Sequence, residues 1–479
     1  MGVCCGRVDT ATSFRMPPAR SGADGATRSS RQGLRIGVAV WLAAVSLPGF
    51  ALAQQPAAAP AQTLFQNVRI FDGRSAALSA PSNVLVKGNF IERISTAPIA
   101  AEQGVTVVAG GGRTLMPGLI DAHVHMTMST VPLALLMTAD TNYVMQRQGK
   151  SAGEMLMRGF TSGRDVGGNS FGLKRAIDEG FVAGPRIWPS GATISQTSGH
   201  GDFRMTHDLP RASGEPLHFT ERLGFTAVAD GSDEVLRRVR EQLMQGASHI
   251  KLMAGGGVAS DYDPLDVAQF TEAEIHAAVE AAEDWGTYVT VHAYTPRAIQ
   301  KAVRAGVKCI EHGNLADEAT AKMMAEKGVW WSLQPFLDDE DAIPFREGSA
   351  NRRKQIEMTS GTDTAYRLAK QHKIKTAWGT DTLFDARLAT RQGAQLSKLV
   401  RWYTPAEVLK MATADNAEVL SMSGLRSPYP GKLGVVEQGA LADLLLVDGD
   451  PIANIKLIDD PEKNFKVIMK DGKIYKNQT

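Results

Sequence analysis

The amino-acid sequence predicts an α/β fold: a TIM (β/α)8 barrel with a small β-sandwich domain formed by both chain ends. Apolar, strand-like runs alternate with amphipathic helices through residues 118–425, which is typical of parallel βα units. Shorter segments with alternating apolar and polar residues precede and follow this region, as expected for strands buried on one face. The 479 residues suffice for one large barrel with an accessory domain.

Two consecutive βα units are especially clear. A capping box at Thr271 begins a helix with one apolar face, and the strand at 288–291 that follows ends in His292. A second helix and the strand at 307–310 then lead to His312. Further strands, which bring the total to eight, are predicted at 118–125, 160–164, 186–190, 248–252, 329–333 and 374–378.

The two chain ends carry the strands of the predicted sandwich. Alternating segments lie at 64–71 and 84–94 before the barrel. After it, 443–447 has the pattern of a buried apolar strand, and 466–475 holds two short strands around an Asp-Gly hairpin turn. The predicted domain boundaries are residues 63–117 and 426–479 for the sandwich and 118–425 for the barrel.

Residues 1–53 have the pattern of a secretory signal peptide with its leader. Arginines precede an apolar run at 36–50 that is short for a membrane span, and residues 51–53 form an Ala-x-Ala-like cleavage site. We expect export to the periplasm or the exterior, a linker at 54–62 and no membrane contact after cleavage; a retained short anchor is the alternative. Cys309 is the only cysteine after residue 53, so no intramolecular disulfide is expected.

Composition favours a small-molecule partner. The formal net charge is +1, which gives no electrostatic reason to expect binding to nucleic acid or to an acidic membrane surface. We therefore expect the partner to be a small molecule or another copy of the chain.

His123 and His125 are the most informative residues of the sequence. They end an apolar strand, and residues i and i+2 of a strand point to the same face, so the two imidazoles can hold one metal ion. The alternative is a pair of histidines with structural partners at a strand end.

Other polar residues also end predicted barrel strands, and the C-terminal ends of parallel barrel strands meet at one mouth. These residues are Lys251, His292, His312 and Asp381. Imidazoles and a carboxylate fit a metal centre. Lys251 cannot bind a cation as an ammonium, but its free amine reacts with carbon dioxide to give an anionic carbamate that can bridge two metals. The alternatives are a lysine on the preceding loop and a salt-bridged barrel lysine.

Several motifs resemble the amidohydrolase superfamily of metal-dependent hydrolases, in the expected order and over nearly the whole mature chain. They are GLIDAHVH at 118–125, HIKLMAGGG at 249–257, VTVHAY at 289–294, IEHGN at 310–314, WGTD at 378–381 and GVVEQGALADLLLVDGDP at 434–451. The closest similarity is to the imidazolonepropionase-like group, which includes Xaa-Pro dipeptidases and ochratoxinase-type enzymes.

This resemblance implies a binuclear metal centre with zinc as the expected metal. His123, His125 and Asp381 would bind one ion, His292 and His312 the other, and carboxylated Lys251 would bridge them. A metal-bound hydroxide would then attack an amide carbonyl, and Asp381 would transfer its proton to the leaving amine.

The same resemblance predicts the substrate class and one more site residue. We expect cleavage of the amide bond to a C-terminal amino acid in an ochratoxin-like N-acyl amino acid or a dipeptide, by a homo-oligomer. In the segment 195–202, His200 would hydrogen-bond the scissile carbonyl or the substrate carboxylate, unless it is a structural loop histidine.

The glycines at 255–257 suit either an anion-binding turn or a flexible one, and Tyr294 either lines the pocket or packs. Cyclic amide or imidazolone hydrolysis and a metal-free binding protein are the alternative functions.

Overall fold

The structure is a computed structural model that describes residues 60–211 and 214–479. The predicted signal peptide, the leader and most of the linker lie outside the described residues. No helix in the described part of the chain is long and apolar enough to cross a membrane.

Strands and helices alternate through most of the described chain, which gives a mixed α/β fold. The strands are β1 (Gln62–Ile70), β2 (Ser82–Lys87), β3 (Phe90–Ser95), β4 (Thr106–Ala109), β5 (Thr114–Pro117), β6 (Leu119–Val124), β7 (Phe160–Asp165), β8 (Arg186–Pro189), β9 (Thr193–Ser195), β10 (Thr226–Val228), β11 (Ile250–Met253), β12 (Val289–Ala293), β13 (Cys309–His312), β14 (Trp330–Leu333), β15 (Thr376–Trp378), β16 (Leu444–Val447), β17 (Phe465–Lys470) and β18 (Lys473–Asn477). The α-helices are α1 (Leu133–Leu136), α2 (Thr141–Met157), α3 (Phe171–Asp178), α4 (Phe219–Arg222), α5 (Ser232–Gln245), α6 (Glu272–Asp284), α7 (Pro296–Arg304), α8 (Glu318–Glu326), α9 (Ala350–Ser360), α10 (Thr362–Gln371), α11 (Ala386–Ala389), α12 (Gln392–Ser397), α13 (Pro405–Lys410), α14 (Asn416–Ser421) and α15 (Pro461–Asn464).

Parallel strands form the central part of the fold. One sheet has the order β6-β7-β8, the other has the order β10-β9-β11-β12-β13-β14-β15, and every pairing within them is parallel. The backbone N–H of Asp381, just after β15, donates to the carbonyl oxygen of His123 in β6 at 2.8 Å. The last parallel strand therefore ends beside the first one, and the carboxyl ends of these strands share one edge.

Local sequence explains where the helices of this region begin. The predicted capping box before α6 is present, because the Thr271 hydroxyl accepts from the Glu274 N–H and the Glu274 carboxylate accepts from the Thr271 N–H. Pro296 is the first residue of α7, where its missing N–H costs no hydrogen bond. α6 precedes β12 in the chain and α7 follows it, so the start of α7 at Pro296 limits how far β12 extends.

Strands from both chain ends join in one sheet with the order β18-β17-β16-β5-β1-β2-β3, in which β4 pairs with β1. The pairing of β1 with β2 has a register shift between Phe65 and Val68, and β1 also pairs with β4 through residues 63–66 and with β5 through residues 69–70. The short strands β4, β5, β9 and β10 were not predicted from the sequence. The closed barrel, the two-layer sandwich and the domain boundaries stay predictions.

A buried ion pair connects the terminal sheet to the parallel strands. Arg186 of β8 donates to both carboxylate oxygens of Asp443, at 3.0 and 3.2 Å, and to Asp471 at 2.6 Å. Burial alone would lower the pKa of Arg186, but the two carboxylates raise it above its usual range. Asp443 is also buried, so this guanidinium is the counter-ion that its carboxylate contacts directly.

We predict that Arg186→Ala lowers the free energy of unfolding by about 3–5 kcal/mol, because it leaves the buried Asp443 carboxylate without its counter-ion. Urea denaturation followed by circular dichroism measures this change. Arg175→Ala, which removes an exposed ion pair with Glu179, is the matched control and is expected to change stability little. Equal losses of stability from the two substitutions would contradict the assignment of Arg186 as the counter-ion that stabilises buried Asp443.

Candidate metal centre and active site

Three of the predicted ligands meet at the carboxyl edge of the parallel strands. The Nε2 atoms of His123 and His125 lie 3.2 and 3.1 Å from the same oxygen of Asp381, Oδ1. The ligand atoms of this triad lie within 4.8 Å of one another. Because His123 and His125 alternate with Val124, their rings face the same side, as the spacing in the sequence predicts.

Two atoms at the centre of this triad are suited to bind a cation. His123 Nε2 and Asp381 Oδ1 are buried and have no hydrogen-bond partner among the described residues. Buried polar atoms without partners are rare because they lose hydration without compensation. A divalent ion bound between the two rings and the carboxylate would satisfy both atoms, and imidazole and carboxylate are suitable ligands for zinc.

Hydrogen bonds on the far side of both rings fix the tautomer that a metal needs. His123 Nδ1 lies 2.7 Å from a carboxylate oxygen of Glu311, and His125 Nδ1 lies 3.0 Å from the carbonyl oxygen of Gly167. Since both oxygens only accept, each Nδ1 carries the proton and each Nε2 has its lone pair towards Asp381.

His292 and His312 lie next to this triad with the same kind of support. His292 Nε2 donates to the carbonyl oxygen of Gly256 at 3.0 Å, and His312 Nδ1 donates to the amide oxygen of Gln334 at 2.7 Å. The two ring centroids are 4.6 Å apart, and that of His312 is 5.0 Å from that of His123. Burial lowers the pKa of both rings well below the usual range, so they are neutral and can act as ligands.

Lys251, the second residue of β11, is buried and lines the same cavity as these histidines. Burial lowers the pKa of its ammonium to about 8, while Glu311 and Asp381 oppose this shift. The environment therefore favours the free amine more than a typical surface position does.

His200 also faces this group of histidines. Its ring stacks on that of His292 with 4.2 Å between centroids, and its Nδ1 lies 2.6 Å from the Ser260 hydroxyl and 3.6 Å from Asp263. The structure thus brings together all the site residues that the sequence predicts: His123, His125, His200, Lys251, His292, His312 and Asp381 all line one cavity.

Glu311 and Arg164 were missed by sequence analysis, although they are among the most buried charged residues. One oxygen of Glu311 contacts His123 and the other accepts from Arg164 at 2.6 Å, with both side chains fully buried. Burial would raise the pKa of Glu311, but Arg164 and His123 hold it well below its usual range. The only signal in the sequence was a charged residue inside an apolar strand.

Asp121 is a third missed residue, although it lies within the first motif. Its carboxylate accepts from the N–H groups of His123 and Thr380 at 3.0 and 3.1 Å, and from the side chains of Thr380 and Gln392, both at 2.8 Å. It therefore ties β6 to the segment that carries Asp381.

The cavity in front of the histidines has a largely apolar wall. Two carboxylates of this wall, Asp339 and Asp341, are already paired with Lys398, and Asp341 also with Arg391. The large apolar residues of the wall are Met128, Phe203, Met253, Val258, Phe336, Leu337, Ile343, Met358, Leu383, Phe384 and Leu388. The cavity therefore suits a substrate with an apolar group.

Two secondary candidates from the sequence have defined places. Tyr294 lines the cavity, and its ring contacts those of His292 and His312. Gly256 and Gly257 donate their N–H groups within their own loop, to Val267 and to the Asp263 carboxylate, so these two groups are not free to bind an external anion. The glycine run is thus a turn close to the site.

Comparison with known proteins identifies the family. Residues 114–475 match the Amidohydrolase family. The chain belongs to this family. It is therefore a hydrolase acting on C–N bonds, and the family usually uses metal ions, which agrees with the His-His-Asp group.

Similar proteins confirm the predicted group within the amidohydrolases. The chain is 33% identical to ochratoxinase from Aspergillus niger over 389 residues, which cover 76% of this chain and 75% of the ochratoxinase. The crystal structure of A. niger ochratoxinase matches 88% of this chain and 96% of its own, with a TM-score of 0.75 and 27% identity. That of a prolidase complexed with N-methylphosphonate-L-proline matches 87% of this chain and 100% of its own, with a TM-score of 0.79 and 34% identity.

Glu311→Gln tests the support behind His123. It removes the negative charge while keeping the shape of the side chain, so we predict about 10- to 100-fold weaker metal binding. Competition with a chromophoric chelator measures the affinity. Glu283→Gln, at an exposed position on α6, is the control. Unchanged metal affinity in folded Glu311→Gln would show that Glu311 does not support the site.

Proposed function

We propose that this amidohydrolase is a binuclear metal enzyme that cleaves the amide bond to a C-terminal amino acid in N-acyl amino acids or dipeptides. The observation that carries the proposal is the convergence of His123, His125 and Asp381, whose lone pairs face one point on the cavity floor. His292 and His312 beside them supply the ligands that a second ion needs.

Each proposed ligand has a defined role. His123, His125 and Asp381 would hold the first ion, His292 and His312 the second, and carboxylated Lys251 would join the two. Zinc suits these ligands, although manganese or cobalt can replace it. When bound, such ions lower the pKa of a coordinated water and polarise an amide carbonyl.

We assign proton transfer to a side chain of the protein, Asp381. A carboxylate oxygen of Asp381 would accept the proton of the attacking water as its oxygen bonds to the carbonyl carbon. The same carboxylate would then give this proton to the amine nitrogen as the C–N bond breaks. His200 would donate a hydrogen bond from its ring to the carbonyl oxygen or to the substrate carboxylate.

The substrate class rests on the cavity wall and on the similar proteins. The apolar wall favours a substrate with an apolar acyl group or side chain. The names ochratoxinase and prolidase belong to proteins that share most of this chain's length. We also propose a closed barrel with a terminal sandwich, export through the N-terminal signal and assembly into a homo-oligomer; the parallel strand order and the apolar run at 36–50 support the first two of these.

A substrate screen before and after metal removal tests this function. The zinc-loaded protein is assayed with N-acyl amino acids, dipeptides and cyclic amides. We expect release of free amino acid from the first two classes, loss of activity after chelation and recovery when zinc is added. Activity confined to cyclic amides would favour the alternative hydrolase, and full activity without metal would exclude the metal mechanism.

Substitution of two ligands tests their roles. We predict that Asp381→Asn lowers kcat by about 10²–10⁴-fold, because the amide cannot accept the proton, and that Lys251→Ala nearly abolishes turnover because no bridge can form. Steady-state kinetics measures both. The exposed substitutions Asp284→Asn and Lys322→Ala are the matched controls. Near-wild-type turnover in either ligand variant would refute its assigned role.

A further inference from the structure

The loop of residues 254–271, which joins β11 to α6, supports two cavity histidines at once. The carbonyl oxygen of Gly256 accepts from His292 at 3.0 Å, and the Ser260 hydroxyl lies 2.6 Å from His200 Nδ1. Asp263, whose side chain is 1% exposed, accepts from the Gly257 N–H at 2.7 Å and faces the same ring nitrogen of His200. Gly256 therefore supports His292, whereas Ser260 and Asp263, farther along the loop, contact the ring of His200.

One lysine from another part of the chain holds this loop. Lys354, on α9, donates to the carbonyl oxygens of Gly257, Ser260 and Asp263, at 2.8, 2.7 and 2.8 Å. An ammonium has three donors, so its hydrogen-bonding capacity is fully used on this one loop. Its Nζ is also 3.7 Å from a carboxylate oxygen of Asp263.

Neighbouring contacts also restrain this loop and pack it closely against His200. Asn351, one turn earlier on α9, donates to the carbonyl oxygens of Val258 and Ser260 at 2.9 and 3.4 Å. A Cβ atom on Gly257 would lie only 1.9 Å from the ring of His200, so the loop backbone packs directly against this imidazole. A small shift of residues 257–263 must therefore move His200.

We propose that Lys354 is a positioning residue: by clamping residues 257–263 it fixes the His200 ring over the reaction centre. Lys354 itself is absent from the cavity wall, so it acts through the loop and not on the substrate. The consequence for catalysis rests on the function proposed above, whereas the clamp itself depends only on the contacts of Lys354.

Lys354→Met tests the proposal because it keeps a long apolar side chain and removes all three donors. We expect kcat/KM to fall by about 10- to 100-fold, since misplacement by about 1 Å costs this much. Lys354→Arg keeps donors and is expected to retain more activity. Arg353→Met is the matched control on the same helix, because Arg353 donates to Gly348, outside the loop.

A double-mutant cycle separates positioning from a general structural effect. In a His200→Ala background, Lys354→Met is expected to cost less than about twofold, because the ring it positions is gone. An equal fold-loss in both backgrounds would overturn the proposal. So would wild-type activity of His200→Ala.

Hydrogen exchange measured by mass spectrometry tests the clamp without a substrate. Lys354→Met is expected to speed exchange in peptides that cover residues 254–271, and Arg353→Met is not. Unchanged exchange in the loop would overturn the proposal. If the wild type hydrolyses no compound of the screen, the proposed function fails, while the exchange result still decides whether Lys354 holds the loop.

Discussion

The site depends on hydrogen bonds that hold the cavity histidines from behind. Glu311, the carbonyl oxygens of Gly167 and Gly256, and Gln334 each accept one ring N–H and leave the opposite nitrogen of the ring unprotonated. Burial removes water that would otherwise satisfy these nitrogens. The ring nitrogens of His123 and His125 are thereby directed to the Asp381 carboxylate, and this arrangement is suited to hold a cation.

This arrangement has an energetic cost that other parts of the fold offset. Glu311 is a fully buried carboxylate, which is stable only because Arg164 and His123 contact its two oxygens. His312 and Asp381 both have left-handed backbone conformations, with φ of 74° and 49°. Such conformations are uncommon for residues other than glycine and concentrate at functional sites. Asp121 helps to hold the strained segment by accepting from Thr380.

Sequence analysis found the parts of the site that follow from strand periodicity. The histidines of β6, β12 and β13 were visible because parallel strands bring their carboxyl ends to one edge. Local patterns cannot pair residues far apart in the chain, so the Arg164–Glu311 pair and the contacts of Lys354 appear only in three dimensions. β4 and β5 were missed because four-residue strands separated by glycines carry little periodicity.

Anomalous X-ray diffraction from zinc-loaded crystals tests the central claim most directly, because it locates metal ions independently of activity. We predict two anomalous peaks per chain in the cavity, one contacted by His123, His125 and Asp381 and the other by His292 and His312, with added electron density on Lys251 between them. A single peak, or peaks away from these residues in a folded protein, would contradict a binuclear centre.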